Sequence, residues 1–416
     1  MNAPAPAVPK ASRLHIGLAG RTNAGKSTFL NLLAGQDVAI TSATPGTTTD
    51  VVEKTMELLP LGPVTLIDTA GLDDASELGP ARLKMTLKAL QRVDVLAIIV
   101  TAAGWSDYEE ALLRDAQGAA LPVLVVINKT DLATPKPTFF ALMELKHLPT
   151  VQGSAIGSGA AGEAFRAAFR DAVRGLQPKL FTAPPILLGD LMPAGGLAAL
   201  VVPIDLGAPA GRLILPQVQS IRDLLDNDAC AVVVKDREYA ALLKRLVQPP
   251  DLVICDSQVV ARVVADTPPD IKLTTFSILF ARFKGDLNLL ARGAGAIGRL
   301  KDGDKVLIAE GCSHHPVEDD IGRVKIPRWL KQFTGADLQI VQAAGHDFPP
   351  DLAAFQLVIH CGGCVMTRQE MMNRMVECGA CAVPITNYGL AISTLQGVLA
   401  RALSPFPDAL AAFKAA

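Results

Sequence analysis

Gly20-Arg21-Thr22-Asn23-Ala24-Gly25-Lys26-Ser27 has the types and spacing of a phosphate cradle, G-x-x-x-x-G-K-[ST]. Its glycines let the backbone curl until N–H groups converge on phosphate oxygens, and a helix N-terminus behind them adds positive potential. Lys26 is the candidate cation for the β- and γ-phosphates, and the Ser27 hydroxyl is a candidate Mg²⁺ ligand. Asn23, Ala24, Gly25 and Thr28 complete the candidate phosphate contacts. The motif follows an apolar strand-like run, His15 to Ala19, and opens a helix-like run, Ser27 to Leu33. That context is the one the chemistry needs.

Three further signals bear on the nucleotide. Asn128-Lys129-Thr130-Asp131 follows the apolar run Leu121 to Ile127, and a carboxylate at Asp131 accepts two N–H bonds from a guanine edge that adenine cannot offer. Ser154-Ala155 lies where a guanine-contacting loop closes such a site. Asp68-Thr69-Ala70-Gly71 ends the run Val64 to Ile67, with Asp68 placed to hold Mg²⁺ through water and the Gly71 N–H to meet the γ-phosphate. Between them Pro45 to Asp50 offers a switch threonine, Thr48, to Mg²⁺. The four signals in this order resemble the small GTP-binding proteins over about the first 175 residues. Asn23 and the Thr47-Thr48 pair look like the branch with the tRNA-modification and ribosome-assembly GTPases. That resemblance implies K⁺ binding by Asn23, in place of an arginine finger. Leu72 stands where many GTPases carry a water-orienting glutamine, so hydrolysis is expected to be slow without a cation or partner. Lys26, Thr48, Gly71 and Asn23 are the candidate catalytic residues.

A second set lies near the other end. All seven cysteines follow residue 229. Cys230 and Cys255 are flanked by aliphatics and read as buried strand cysteines. Cys312-Ser313-His314 follows the strand-like Lys305 to Ala309, and His360-Cys361-Gly362-Gly363-Cys364 follows Phe355 to Ile359. Parallel strands deliver such loops to one sheet edge, where thiolates and imidazoles meet. Four chemistries fit: a zinc site with Cys₃His ligation, a thioredoxin-like C-x-x-C, buried structural cysteines, or an iron–sulfur cluster on Cys312, Cys361 and Cys364 with a labile fourth position. Cys378-Gly379-Ala380-Cys381 reads more simply, Gly379 stopping a helix and Cys381 packing in a strand.

The elements that must position these residues are those of an α/β protein. The expected fold is an N-terminal P-loop GTPase domain, a small α/β middle domain and a C-terminal α/β domain carrying the cysteine and histidine set. Residues 1–12 are Ala/Pro-rich and read as a disordered arm, without the apolar core of a signal peptide. Residues 13–175 form the GTP-binding domain, and Leu176 to Pro185 a linker. Residues 186–266 alternate strand-like and helix-like runs in a βαβ pattern. After Pro268-Pro269, residues 270–416 begin with a helix-like Ser277 to Leu290, followed by strands near 305, 339, 357 and 382. Thr367 is placed to cap a helix running through Met371 and Met375.

The 416 residues exceed what a single core organises. Net charge is −2, which argues against a nucleic-acid partner. No apolar run reaches the roughly 18 residues of a membrane span. An odd number of unevenly placed cysteines fits a reducing, cytoplasmic compartment better than a disulfide framework.

Together the motifs resemble one family, the maturation GTPase of FeFe-hydrogenase called HydF, from about residue 13 to about residue 402. C-x-H at Cys312 and His314, followed at distance by H-C-x-x-C at His360, Cys361 and Cys364, carries the resemblance. So do Leu215 to Gln219, Phe276 to Arg282, and Pro384 to Gly389. Cys378 and Cys381 depart from that pattern. The resemblance implies a 4Fe-4S cluster on Cys312, Cys361 and Cys364, with His314 or His360 as candidate fourth ligand, and dimerisation by the middle domain. It implies a scaffold that carries a di-iron precursor to apo FeFe-hydrogenase and works with the two radical-SAM hydrogenase maturases. Two other readings share the N-terminal motifs: a ribosome- or tRNA-associated GTPase, which calls for a basic patch, and a regulatory GTPase stabilised by zinc.

Overall fold

A computed structural model describes residues 13–35, 52–68, 92–102, 104–157, 159–176, 186–204, 213–311, 320–345, 348–349, 351–363 and 366–416. Thr48, Gly71, Leu72, Cys312, His314 and Cys364 lie outside these residues, as do the arm 1–12 and nearly all of the linker. The chain forms two compact units, Met1–Pro184 and Pro185–Ala416.

The first unit holds one six-stranded sheet in the order β2-β3-β1-β4-β5-β6. Its strands are β1 (Leu14–Ala19), β2 (Val52–Glu57), β3 (Pro63–Asp68), β4 (Val95–Thr101), β5 (Val123–Asn128) and β6 (Thr150–Gln152). Only β2 runs antiparallel, at the edge against β3. The runs Val95–Thr101 and Val123–Asn128 are apolar almost throughout because a central parallel strand is covered on both faces. One face buries Phe29, Phe165 and Phe169 beneath helices Lys26–Ala34 and Gly159–Gly175. The other packs Leu112, Leu113, Phe139 and Met143 from helices Asp107–Gly118 and Pro137–Leu145. β1, β3, β4 and β5 are parallel, so the loops after them open at the same sheet edge.

The second unit holds two four-stranded parallel sheets. One, in the order β10-β9-β7-β8, comprises β7 (Leu197–Val201), β8 (Cys230–Val234), β9 (Leu252–Cys255) and β10 (Lys272–Thr275). The other, in the order β12-β11-β13-β14, comprises β11 (Lys305–Glu310), β12 (Gln339–Ala344), β13 (Leu357–His360) and β14 (Ile385–Asn387). A single core draws on both: Leu200, Val201 and Ile254 belong to the same apolar cluster as Leu307, Ala309 and Val358. Val306, Ile308, Leu357 and Ile359 face the opposite way, onto Ile326 and Leu330. Strand alternation divides these residues between the two faces.

Four expectations need correction. The helix-like run Ser277 to Leu290 is two helices, Phe276–Lys284 and Leu287–Gly295. Asp286 interrupts it, its carboxylate accepting the Leu289 N–H at 3.0 Å as an N-cap. Cys230 is exposed, because it begins β8 at the edge of its sheet. Gly379 does not stop its helix: helix Arg368–Ala380 runs through it, and the left-handed residue that ends the turn is Ala382, at φ 55°. Cys381 therefore sits exposed at the helix C-cap, before β14 begins, while Cys378 is fully buried. Cys255 is buried, and Thr367 caps its helix by accepting from the Glu370 N–H at 3.1 Å. Among the described residues no helix is long and apolar enough to cross a membrane.

Candidate functional site

The phosphate loop joins the end of β1 to helix Lys26–Ala34. A Cβ on Gly20 would lie 2.2 Å from the Ile99 carbonyl of β4, and one on Gly25, at φ 92°, would lie 2.3 Å from Asn128 Nδ2. Both glycines are thus required by close approach, and both have a positive φ, 152° at Gly20 and 92° at Gly25. Asn23 is exposed and also left-handed, at φ 62°, which asparagine tolerates better than most residues. The Lys26 ammonium donates to the Gly20 carbonyl at 2.8 Å and the Arg21 carbonyl at 2.9 Å, so its charge is held within the loop's curve. Ser27 and Thr28 are exposed at the helix start.

Ser27 Oγ donates to Asp68 Oδ2 at 3.2 Å. Asp68 Oδ1 is buried with no hydrogen-bond partner among the described residues. Burial pushes the Asp68 carboxyl above its usual range, and the Lys26 charge opposes that shift. An orphaned carboxylate oxygen beside a serine hydroxyl and a phosphate loop suits Mg²⁺.

Asn128 ends β5 and is 1% exposed. Its Nδ2 donates to the Ala24 carbonyl at 3.0 Å, and its Oδ1 accepts the Ala155 N–H at 2.9 Å. The side chain staples the phosphate loop to the Ser154-Ala155 segment. Lys129, at φ 60°, turns the chain back, and a Cβ on Gly25 would meet its Cε at 3.6 Å, so its stem lies beside the loop. Asp131 follows, exposed, in a turn held by Leu132 N–H to the Lys129 carbonyl at 3.0 Å. Ser154 Oγ, like Asp68 Oδ1, is buried without a partner among the described residues. Asn23, Ala24, Gly25, Lys26, Ser27, Thr28, Asp68, Asn128, Lys129, Asp131, Ser154 and Ala155 therefore lie on strand ends, loops and one helix start at one end of one sheet.

Sequence reading missed Arg21. Its guanidinium donates to Ser106 Oγ and, at 3.2 Å, to the buried Glu109 carboxylate. Ser106 and Glu109 form the capping box of helix Asp107–Gly118. The Ser-x-x-Glu spacing was the available signal.

In the second unit, Ala309 of β11 pairs with His360 of β13, so both strands end together. Cys361, half-buried, follows at once. Its Sγ accepts the Gly311 N–H at 3.0 Å and the Gly363 N–H at 3.4 Å. Gly311 and Gly363 are the chain neighbours of Cys312 and Cys364. Two backbone donors on one sulfur favour a thiolate, and the residues that precede Cys312 and Cys364 both donate to it. That donor set suits an iron–sulfur cluster. Among the described residues no group of three metal-ligating side chains forms, since Cys312, His314 and Cys364 lie outside them.

His360 is at odds with a ligand role. It is fully buried; its Nδ1 meets the Cys361 carbonyl at 2.7 Å and its Nε2 meets Arg374 Nη1 at 2.6 Å. Arginine only donates, so Nε2 accepts and the proton sits on Nδ1. Burial, then the Arg374 charge, pushes the imidazole down to about 3. Both nitrogens are engaged within the protein. Arg374 also donates to the Gly345 carbonyl at 2.9 Å and stacks over Phe348. It lies on the buried stripe of its helix with Met371, Met375 and Cys378, and an arginine at a core position was the legible sign. Burial pushes the Cys378 thiol up to about 12, which keeps it protonated and inert.

Three families match the chain. Residues 15–129 match the 50S ribosome-binding GTPase family, residues 187–285 the hydrogen maturase F dimerization domain, and residues 288–405 the hydrogen maturase F tetramerization domain. The tRNA modification GTPase MnmE of Synechococcus sp. (strain JA-2-3B'a(2-13)) is 40% identical over 126 residues, 29% of this chain and 26% of that protein. MnmE of Nitrosomonas europaea is 38% identical over 159 residues, 37% of this chain and 34% of that protein. The chain thus spans about a third or less of these curated relatives. The G domain of the T. maritima FeoB iron transporter superposes with a TM-score of 0.31 at 20% identity, covering 39% of this chain and 99% of that one. The MnmE likeness is confined to the GTPase region, whereas two adjoining domains specific to one family account for most of the remainder. With its P-loop GTPase domain followed by both of those domains, the chain belongs to the hydrogen maturase F family.

Proposed function

We propose that this chain is a GTP hydrolase and an assembly scaffold that receives the di-iron precursor of FeFe-hydrogenase and delivers it to apo-hydrogenase. The observation that carries this reading is Cys361, whose sulfur gathers N–H donors from the neighbours of Cys312 and Cys364 within a hydrogen maturase F domain. Cys312, Cys361 and Cys364 would hold a 4Fe-4S cluster, which would supply iron to anchor the cargo. His314 or water would be the fourth ligand, because His360 is committed to Arg374. The two oligomerisation families support self-association, and β8 leaves an outer sheet edge for a second copy. The two radical-SAM maturases and apo-hydrogenase are the partners this role requires, in the cytoplasm. The test is activation: protein made anaerobically with the maturases is mixed with apo-hydrogenase and hydrogen evolution is measured. No activation by iron-loaded protein would end the scaffold reading.

GTP is the nucleotide of this reading, through Asp131 and the Asn128 staple, with Mg²⁺ on Ser27, Asp68 and Thr48 and the γ-phosphate at Gly71. Asp131→Asn is expected to weaken GTP by the value of a charged hydrogen bond, about 1.5–3 kcal/mol or roughly 10–150-fold, and to favour xanthosine triphosphate. Competition titrations against both nucleotides check it; equal competition by ATP in the unaltered protein would refute guanine specificity.

Hydrolysis is slow and stimulated by K⁺ held by Asn23. Rates in matched KCl and NaCl are expected to differ, K⁺ being faster, and Asn23→Ala to remove the difference. Equal rates in the two salts would leave Asn23 only its left-handed turn.

A further inference from the structure

We propose that Lys284 is a positioning residue for the cysteine loop, and that its buried charge sets the reduction potential of the group the loop carries. The inference rests on the cluster reading above. Lys284 ends helix Phe276–Lys284 and is 1% exposed. Its ammonium donates to the Gly363 carbonyl and, at 3.3 Å, to the Met366 carbonyl. These two residues bracket Cys364 in the chain. One residue upstream, the Phe283 carbonyl accepts Arg368 Nη1 at 2.7 Å, so the same helix end grips the segment at a third point.

The helix lies in the region matched as a dimerization domain, whereas Cys361 to Arg368 lie in the region matched as a tetramerization domain. The cysteine loop is therefore strapped by the neighbouring domain.

A buried ammonium is costly unless something repays its desolvation, and the Gly363 and Met366 carbonyls are part of that repayment. An apolar side chain of similar length would fill the same space. What lysine adds is charge and direction. Carbonyls drawn onto Nζ leave the Gly363 N–H turned to Cys361 Sγ, so the ammonium acts on the loop's shape through the backbone. Its charge, like that of the Arg374 guanidinium, acts on His360, the residue before Cys361. An electron added to a cluster on these thiolates makes it more negative, and a fixed cation nearby favours that form.

The test compares Lys284→Met, Lys284→Arg and the unaltered protein, reconstituted anaerobically. Iron per chain is measured, and the midpoint potential is followed by electron paramagnetic resonance of the reduced cluster. Circular dichroism and thermal melting report folding of the unit that carries Lys284, and GTP hydrolysis, whose residues all lie in the other unit, reports that the rest of the protein is intact. Lys284→Met is expected to shift the one-electron equilibrium at least tenfold toward the oxidised cluster, about 59 mV. Lys284→Arg, which keeps the charge, is expected to hold the original midpoint. If Lys284→Met does not accumulate as folded protein, Lys284→Gln is judged by the same shift. A loaded, folded charge-free variant with the original midpoint overturns the role of Lys284 and leaves the cluster reading standing. Absence of any iron–sulfur spectrum from the unaltered protein overturns both.

Discussion

Cys361→Ser is expected to lose most of its cluster iron, from about four atoms per chain toward none, together with the electron paramagnetic resonance signal of the reduced cluster. Cys361 Sγ is where the strand ends meet, with Gly311 and Gly363 both donating to it. A serine hydroxyl accepts the same N–H bonds but is a hard, weakly acidic oxygen where iron–sulfur chemistry needs a soft thiolate. A cubane left with two protein thiolates is poorly held. Cys381→Ser is the control: that residue is exposed at a helix C-cap, and its partner in the C-x-x-C spacing, Cys378, is buried and protonated. Iron analysis and spectra of both variants, with circular dichroism and thermal melting as the check on folding, decide the matter. A full cluster in Cys361→Ser, or its loss from folded Cys381→Ser, would show that the ligand set is wrong.

Lys26→Ala is expected to lower nucleotide affinity by two orders of magnitude or more while leaving the iron–sulfur absorbance unchanged. The ammonium lies 2.8 Å and 2.9 Å from two carbonyls of the phosphate loop and needs only a side-chain rotation to meet phosphate oxygens. Two charge-assisted hydrogen bonds at about 1.5–3 kcal/mol each set the scale of the loss. The cluster should survive because Lys26 and Cys361 belong to separate compact units with separate cores. Titration with a fluorescent guanine nucleotide measures the first claim, and the visible spectrum after reconstitution measures the second. Retained affinity would remove Lys26 from the site; a cluster lost from folded protein would mean that the two units depend on each other.

Much of this molecule was determined locally and so was legible in the sequence alone. The phosphate loop was legible because its spacing belongs to one strand–loop–helix unit, although the contacts that require Gly20 and Gly25 come from Ile99 of β4 and from Asn128 at the end of β5. The parallel strands announced themselves because burial on both faces demands continuous aliphatic runs, and Thr367 announced its helix because a cap is a one-turn interaction. Tertiary structure decided the rest. The sequence marked His360 as a donor atom, and only folding could show that an arginine fourteen residues on would occupy it. Gly379 looked like a stop because glycine is costly in a helix, yet packing of Met371, Met375 and Cys378 carries the helix past it. Cys230 looked buried because its neighbours are aliphatic, but a sheet edge is a property of strand order, which no local pattern contains. Lys284 reads as an ordinary basic helix end. Its place beneath the cysteine loop arises because a core shared by two sheets brings residues 284 and 363 together, and long-range packing of that kind has no signature in spacing.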